Sequence, residues 1–254
     1  MHAPTLRTKN VVKRFGGIVA LKEVSITVPS NSITMLIGPN GSGKTTLINV
    51  ISGLYKPDKG HVYLNGVEIT GKPPHQIFNY GLTRTFQIPI PLLNLTVLEN
   101  LLVAARNQTG ENPFNALFKR RKWIKEEKEL AEKAKFIMEL LNLDHLWNRE
   151  ASQLSGGQMK LLEIGRALMS DPKVVLMDEP VAGVNPKLAH TIMEHLLSLR
   201  DELDLSFLIV EHRLDIVLRY VDLVYAMNNG RVVAEGEPEE IIEHPAVVEA
   251  YLGG

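Results

Sequence analysis

Two glycine-rich stretches concentrate the chemistry of this chain. Gly38-Pro39-Asn40-Gly41-Ser42-Gly43-Lys44-Thr45 fits G-x-x-x-x-G-K-[ST], and Leu154-Ser155-Gly156-Gly157-Gln158 places three small residues ahead of an amphipathic run. Backbone N–H groups of the first stretch are suited to wrap phosphates at a helix N-terminus, with Lys44 neutralising the β and γ phosphates. A single nucleotide has use for only one such stretch from one chain, so the pair points to an ATPase that works as a dimer. A third feature is the apolar run Val174 to Met177 followed by Asp178-Glu179. It sets two carboxylates at the C-terminal end of a buried strand, where open α/β sheets bind ligands. Asp178 and Thr45 (or Thr46) form the natural pair around a magnesium ion, leaving Glu179 as the candidate base for an attacking water.

The elements that must position these residues are legible around them. A β-rich run, Ile33 to Ile37, precedes the Lys44 loop and a helix-like run, Thr46 to Ile51, follows it. Other short β-like runs are Leu6 to Arg14 and Val24 to Val28, and Asn65-Gly66 marks a hairpin inside Val62 to Ile69. From about Leu92 to Asn142 the period becomes helical, with Trp123, Ile124, Leu130, Ala134, Ile137, Met138 and Leu141 on one face. The basic cluster Lys119 to Lys122 in that block reads as a solvated helix face. A helix is expected from Gln158 to Met169, stopped by Asp171-Pro172, and further strands at Ser206 to Val210, Asp222 to Met227 and, after Asn229-Gly230, Arg231 to Glu235. Alternation of this kind predicts an α/β fold: a P-loop NTPase core with a mainly parallel sheet, an N-terminal antiparallel β part and an inserted α-helical subdomain. The expected division is 1–87 with 159–254 for the core and 88–158 for the helical part.

Composition narrows the class. The chain has 254 residues, 44% of them apolar, enough for a sizeable core. With 28 basic and 29 acidic residues the formal net charge is -1, so no global field favours nucleic acid or an anionic membrane. There is no cysteine, which excludes disulfides, cysteine-ligated zinc and thiol catalysis. No apolar stretch reaches the ~18 residues that span a bilayer, so the chain reads as soluble by itself.

The ordered set of Lys44 loop, Leu154 to Gln158, Asp178-Glu179 and the later Glu211-His212 resembles the nucleotide-binding subunits of ATP-binding cassette transporters, over essentially the whole chain. The resemblance implies that Gln87, in Arg84-Thr85-Phe86-Gln87, reaches magnesium and water and feels the membrane partner, and that His212 contacts the γ-phosphate. It implies adenine stacking on Phe15, where tyrosine is commoner; phenylalanine keeps the π-face and loses the hydroxyl. Asn185 stands where many cassettes have aspartate, and Arg213 where aspartate is frequent. Ser155, Gly156 and Gly157, with Gln158, are expected to cover the γ-phosphate of a second subunit, identical or paralogous, in a head-to-tail dimer.

Finer wording, Asn94 to Leu101, Glu163 to Leu168, Ala182 to Pro186 and Ala250 to Gly253, is similar to the ATP-binding subunits of branched-chain amino-acid importers. That implies ATP and Mg²⁺ as cofactors, two permease subunits as partners, a solute-binding protein indirectly, no nucleic acid, and a peripheral place at the cytoplasmic face of the cell membrane. Contact with the permease is expected through Gln87 and Ile88 to Leu95, where Pro89 and Pro91 break regular structure. Cassettes that export lipid or lipopolysaccharide share much of this wording, and soluble cassette ATPases use the same engine.

Overall fold

The computed structural model describes residues 4–85, 91–106 and 120–252. The chain divides into two compact units, Met1–Gln87 with Lys173–Gly254, and Ile88–Pro172.

The first unit carries two sheets. In the antiparallel one, β1 (Pro4–Phe15) is flanked by β2 (Ile18–Val24), β3 (Thr27–Pro29) and β5 (Lys59–Leu64), and β6 (Val67–Glu68) pairs with β5. The expected hairpin is present: Asn65 and Gly66 have φ of 48° and 77°, the left-handed pair that a two-residue turn requires. The expected strand Val24 to Val28 is instead broken at Ser25-Ile26. There the chain passes from pairing with the second half of β1 to pairing with its first half. The Thr8 hydroxyl accepts the Ile26 N–H at 2.9 Å and so secures the jog.

The second sheet runs β11 (Arg231–Gly236), β10 (Leu223–Asn228), β4 (Ile33–Ile37), β9 (Ser206–Val210), β8 (Val174–Asp178), β7 (Leu82–Arg84). It is parallel except for β11, which returns through the Asn229-Gly230 turn. β4 and β9 are buried at every residue, as strands covered on both faces must be. α1 (Lys44–Ile51) and both sheets share one apolar core containing Leu6, Val11, Leu36, Leu47, Ile48, Leu176, Leu208 and Tyr225. The short α2 (Pro74–Asn79) precedes β7.

The second unit is helical. α3 (Val97–Val103) begins with a capping box in which Thr96 and Glu99 satisfy each other's backbone N–H. α4 (Arg120–Leu140) buries Ala134, Ile137 and Met138, while Arg120 and Lys122 are exposed, Lys122 pairing with Glu126 at 3.6 Å. α5 (Gly156–Leu168) belongs to this unit. The expected boundary at 158 falls within α5, whereas the compact unit runs on to Pro172. A Cβ at Gly165 would lie 2.9 Å from Leu101 and 3.1 Å from Leu141, so the missing side chain lets α5 seat closely against α3 and the end of α4.

Four further helices belong to the first unit. α6 (Pro186–Leu203) follows β8, the short α7 (Leu214–Val217) follows β9, and α8 (Pro238–Glu243) and α9 (Pro245–Leu252) follow β11.

Candidate nucleotide site

The site stands where the carboxyl ends of β4, β8 and β9 meet, the position at which parallel sheets present ligands. A cleft of about 190 Å³ is lined by Ala20, Asn40 to Thr46, Asp178, Glu179, Val210 and His212. Three sequence motifs, spread along the chain from Asn40 to His212, thus share one wall.

The Lys44 loop owes its shape to glycine. Gly38 has φ of 146° and an added Cβ would strike the Met227 carbonyl, while Gly43, at φ 107°, would meet the Ala20 carbonyl oxygen at 2.9 Å. Gly43 caps α1 and leaves the first-turn N–H groups facing the cleft, a ready anion site. Lys44 is buried, its ammonium donating to the carbonyls of Gly38 at 2.7 Å and Pro39 at 3.0 Å. Burial lowers its pKa, and the carboxylates of Glu179 and Asp178 act in the opposite direction. A buried cation facing two carboxylates is a site built for charge.

Asp178 ends β8 and is held at 3.1 Å by the Arg84 guanidinium, which also donates to Asn49 Oδ1 at 2.6 Å. Arg84 escaped the sequence reading as a site residue because only strand register brings β7 beside β8. Glu179 follows with φ of 52°, a left-handed conformation that costs a glutamate roughly 1–3 kcal/mol. The Glu179 N–H donates to the Val210 carbonyl at 2.8 Å, and its carboxylate lies 3.6 Å from His212 Nε2.

Glu211 was quoted in the sequence only as the neighbour of His212. Its carboxylate is 1% exposed and accepts N–H groups from Val181 at 2.7 Å, His212 at 3.0 Å and Arg213 at 3.4 Å. Burial raises its pKa, the three N–H donors oppose that rise, and the charge of Glu179 adds to it.

Phe15 stands at the end of β1, 42% exposed, with the Tyr55 ring edge-on at 5.2 Å and the Lys13 ammonium 5.3 Å from its centroid. Gln87 lies outside the described residues. Ser155 caps α5: its hydroxyl accepts the Gln158 N–H at 3.3 Å, and Gln158 Oε1 accepts the Ser155 N–H at 2.9 Å. The Gln158 side chain thus closes the helix end, leaving exposed Ser155 and Gly156 at its tip. Asn185 caps α6 by accepting the Leu188 N–H at 2.9 Å, a task for which an acceptor oxygen suffices without charge.

The family model for ABC transporters matches residues 21–182, which include the Lys44 loop, Leu154 to Gln158 and Asp178-Glu179. The chain belongs to the ABC transporter family. A second family model, described as branched-chain amino acid ATP-binding cassette transporter, matches residues 231–254 of this cassette. The cassette is 56% identical over 248 residues to a probable branched-chain amino acid transport ATP-binding protein, LivG, of Archaeoglobus fulgidus, covering 98% of this chain and 95% of that one. Among solved structures it is similar to the ADP conformation of an ATP-binding cassette of an ABC transporter, with a TM-score of 0.85, 52% identity, and coverage of 99% of this chain and 100% of the other. It is also similar to the dimeric structure of a bacterial ABC transporter cassette, with a TM-score of 0.72 and 26% identity over 92% of this chain and 98% of that one.

Proposed function

We propose that this cassette is the ATP-hydrolysing subunit of a transporter that takes up branched-chain amino acids. The observation that carries the enzymatic part is the convergence of Lys44, Asp178, Glu179 and His212 on one polar cleft at the sheet's carboxyl edge. The substrate class rests on the similarity to LivG and on the match at residues 231–254.

In this reading adenine stacks on Phe15, the phosphates lie on the N–H groups of Gly41 to Thr46, and Lys44 bridges the β and γ groups. Oxygen donors in the cleft suit magnesium, which binds through one or two protein oxygens together with substrate phosphates. Thr45, Asp178 and Gln87 would hold the ion, which supplies charge neutralisation at the phosphates. Glu179 takes the proton of the attacking water, and His212 holds Glu179 and the γ-phosphate in register.

Ser155, Gly156 and Gly157 of a second cassette cover the γ-phosphate with α5 N-terminal donors, which suit a multiply charged group. ATP then joins two cassettes and hydrolysis releases them. Swinging an open-to-closed ratio from 1:99 to 99:1 takes about 5.5 kcal/mol of differential binding, a scale that several phosphate contacts made only on closure supply.

The reading gives the cassette a peripheral place on two permease subunits at the cytoplasmic face; among the described residues no helix is long and apolar enough to cross a membrane. Gln87 and Ile88 to Leu95 are the proposed permease contact. Of that segment, residues 91–95 are described: Leu92 and Leu93 are exposed, and buried Asn100 holds the loop by donating to the carbonyls of Leu92 and Leu95. The reading is tested by uptake of labelled leucine into vesicles carrying the reconstituted complex. ATP-dependent accumulation is expected; vesicles in which the complex hydrolyses ATP without moving leucine, isoleucine or valine would refute the substrate assignment.

A further inference from the structure

The segment after β8 is fastened to the segment after β9 at successive points. The Glu179 N–H donates to the Val210 carbonyl at 2.8 Å, the Val181 N–H to the Glu211 carboxylate at 2.7 Å, and Arg213 Nη1 to the Val184 carbonyl at 3.4 Å. Glu211 also accepts the N–H groups of His212 and Arg213, and the second guanidinium nitrogen of Arg213 pairs with Asp215 at 3.4 Å. Between these ties lie the candidate base Glu179 and its neighbour His212, and beyond them the turn Ala182 to Asn185, which enters α6.

We infer that Glu211 and Arg213 are positioning residues that fasten the turn 181–185 to the His212 segment, so that the turn's placement sets the Glu179–His212 geometry used in hydrolysis. This rests on the reading of Glu179 as base. Glu211 is suited to the task because one carboxylate accepts from both segments at once and is too deeply buried to exchange its partners for water. Arg213 works at the other end of the turn, where its fork reaches both Val184 and Asp215. A cassette with aspartate at 213 lacks a donor for the Val184 carbonyl, which gives the departure at this position a physical consequence. Movement of the turn then shifts base and histidine together, whereas the phosphate-binding loop after β4 has no part in these ties.

The test uses the full chain with steady-state ATP hydrolysis, fluorescent-ATP titration and amide hydrogen exchange. Arg213→Ala is expected to lower kcat about ten-fold while nucleotide affinity stays within about two-fold, and Arg213→Lys to recover part of the loss. Glu211→Gln presents an amide donor to one side of the junction; it is expected to speed exchange across 181–185 and to lower kcat further, leaving exchange in residues 38–46 unchanged. The Arg213 side chain is 32% exposed, so its variants decide the matter if Glu211→Gln does not fold. Parental kcat in Arg213→Ala, or a loss of kcat matched by an equal loss of affinity, would overturn the inference. Absence of hydrolysis by the parental cassette would refute the proposed function itself, and this inference with it.

Discussion

Replacing Glu179 by glutamine is expected to reduce ATP turnover by about 10²-fold or more while leaving nucleotide binding intact. Glutamine keeps the size of the side chain and its acceptor oxygen but cannot take a proton from water. The left-handed backbone at 179 and the N–H bond to Val210 do not depend on the carboxylate, so the loop keeps its path. Since hydrolysis is what reopens the closed pair, the variant should accumulate as an ATP-bound dimer, visible as a shift to twice the mass on a sizing column. Turnover at the parental rate would remove Glu179 from the role of base.

Lys44→Ala is expected to have the other large effect, a loss of nucleotide affinity of about 10²-fold or more, because each charge-assisted hydrogen bond to phosphate is worth ~1.5–3 kcal/mol and the ammonium supplies more than one. The residue is positioned before any ligand arrives: it is buried and held by the Gly38 and Pro39 carbonyls. Burial pulls its pKa down, but Glu179 and Asp178 counter this, and the cation faces the cleft. Fluorescent-ATP titration measures the effect directly. Binding within a few-fold of the parental affinity would mean that backbone donors alone hold the phosphates.

The two variants separate binding from chemistry, and both residues are singled out from the sequence for a physical reason. A phosphate loop needs consecutive residues, and an apolar strand ending in two carboxylates is local too; such features are written in one stretch of chain. The α/β class and the Asn-Gly turns at 65–66 and 229–230 were legible on the same ground. What the sequence hid was pairing between distant segments. Arg84 joins the site only because β7 lies beside β8 in parallel register. Glu211 becomes a junction only because β9 carries it to the turn after β8. The jog at Ser25-Ile26 was invisible because it arises from β1 exchanging partners, and the place of α5 in the helical unit rests on the close approach allowed by Gly165. The role of Gln158 in closing the end of α5 was readable as a capping box, Ser155 followed three residues later by glutamine, and was passed over in favour of a ligand role.

The shared nucleotide between two cassettes is the claim on which the mechanism stands, and the absence of native cysteine allows a clean test of it. Ser155→Cys in one copy and Asn40→Cys in another, each in the Glu179→Gln background, should form an intersubunit disulfide or a short bis-maleimide link when ATP is added and not without it. Failure to link under ATP, with the dimer otherwise present on the sizing column, would contradict a nucleotide held between the phosphate loop of one cassette and the α5 tip of its partner.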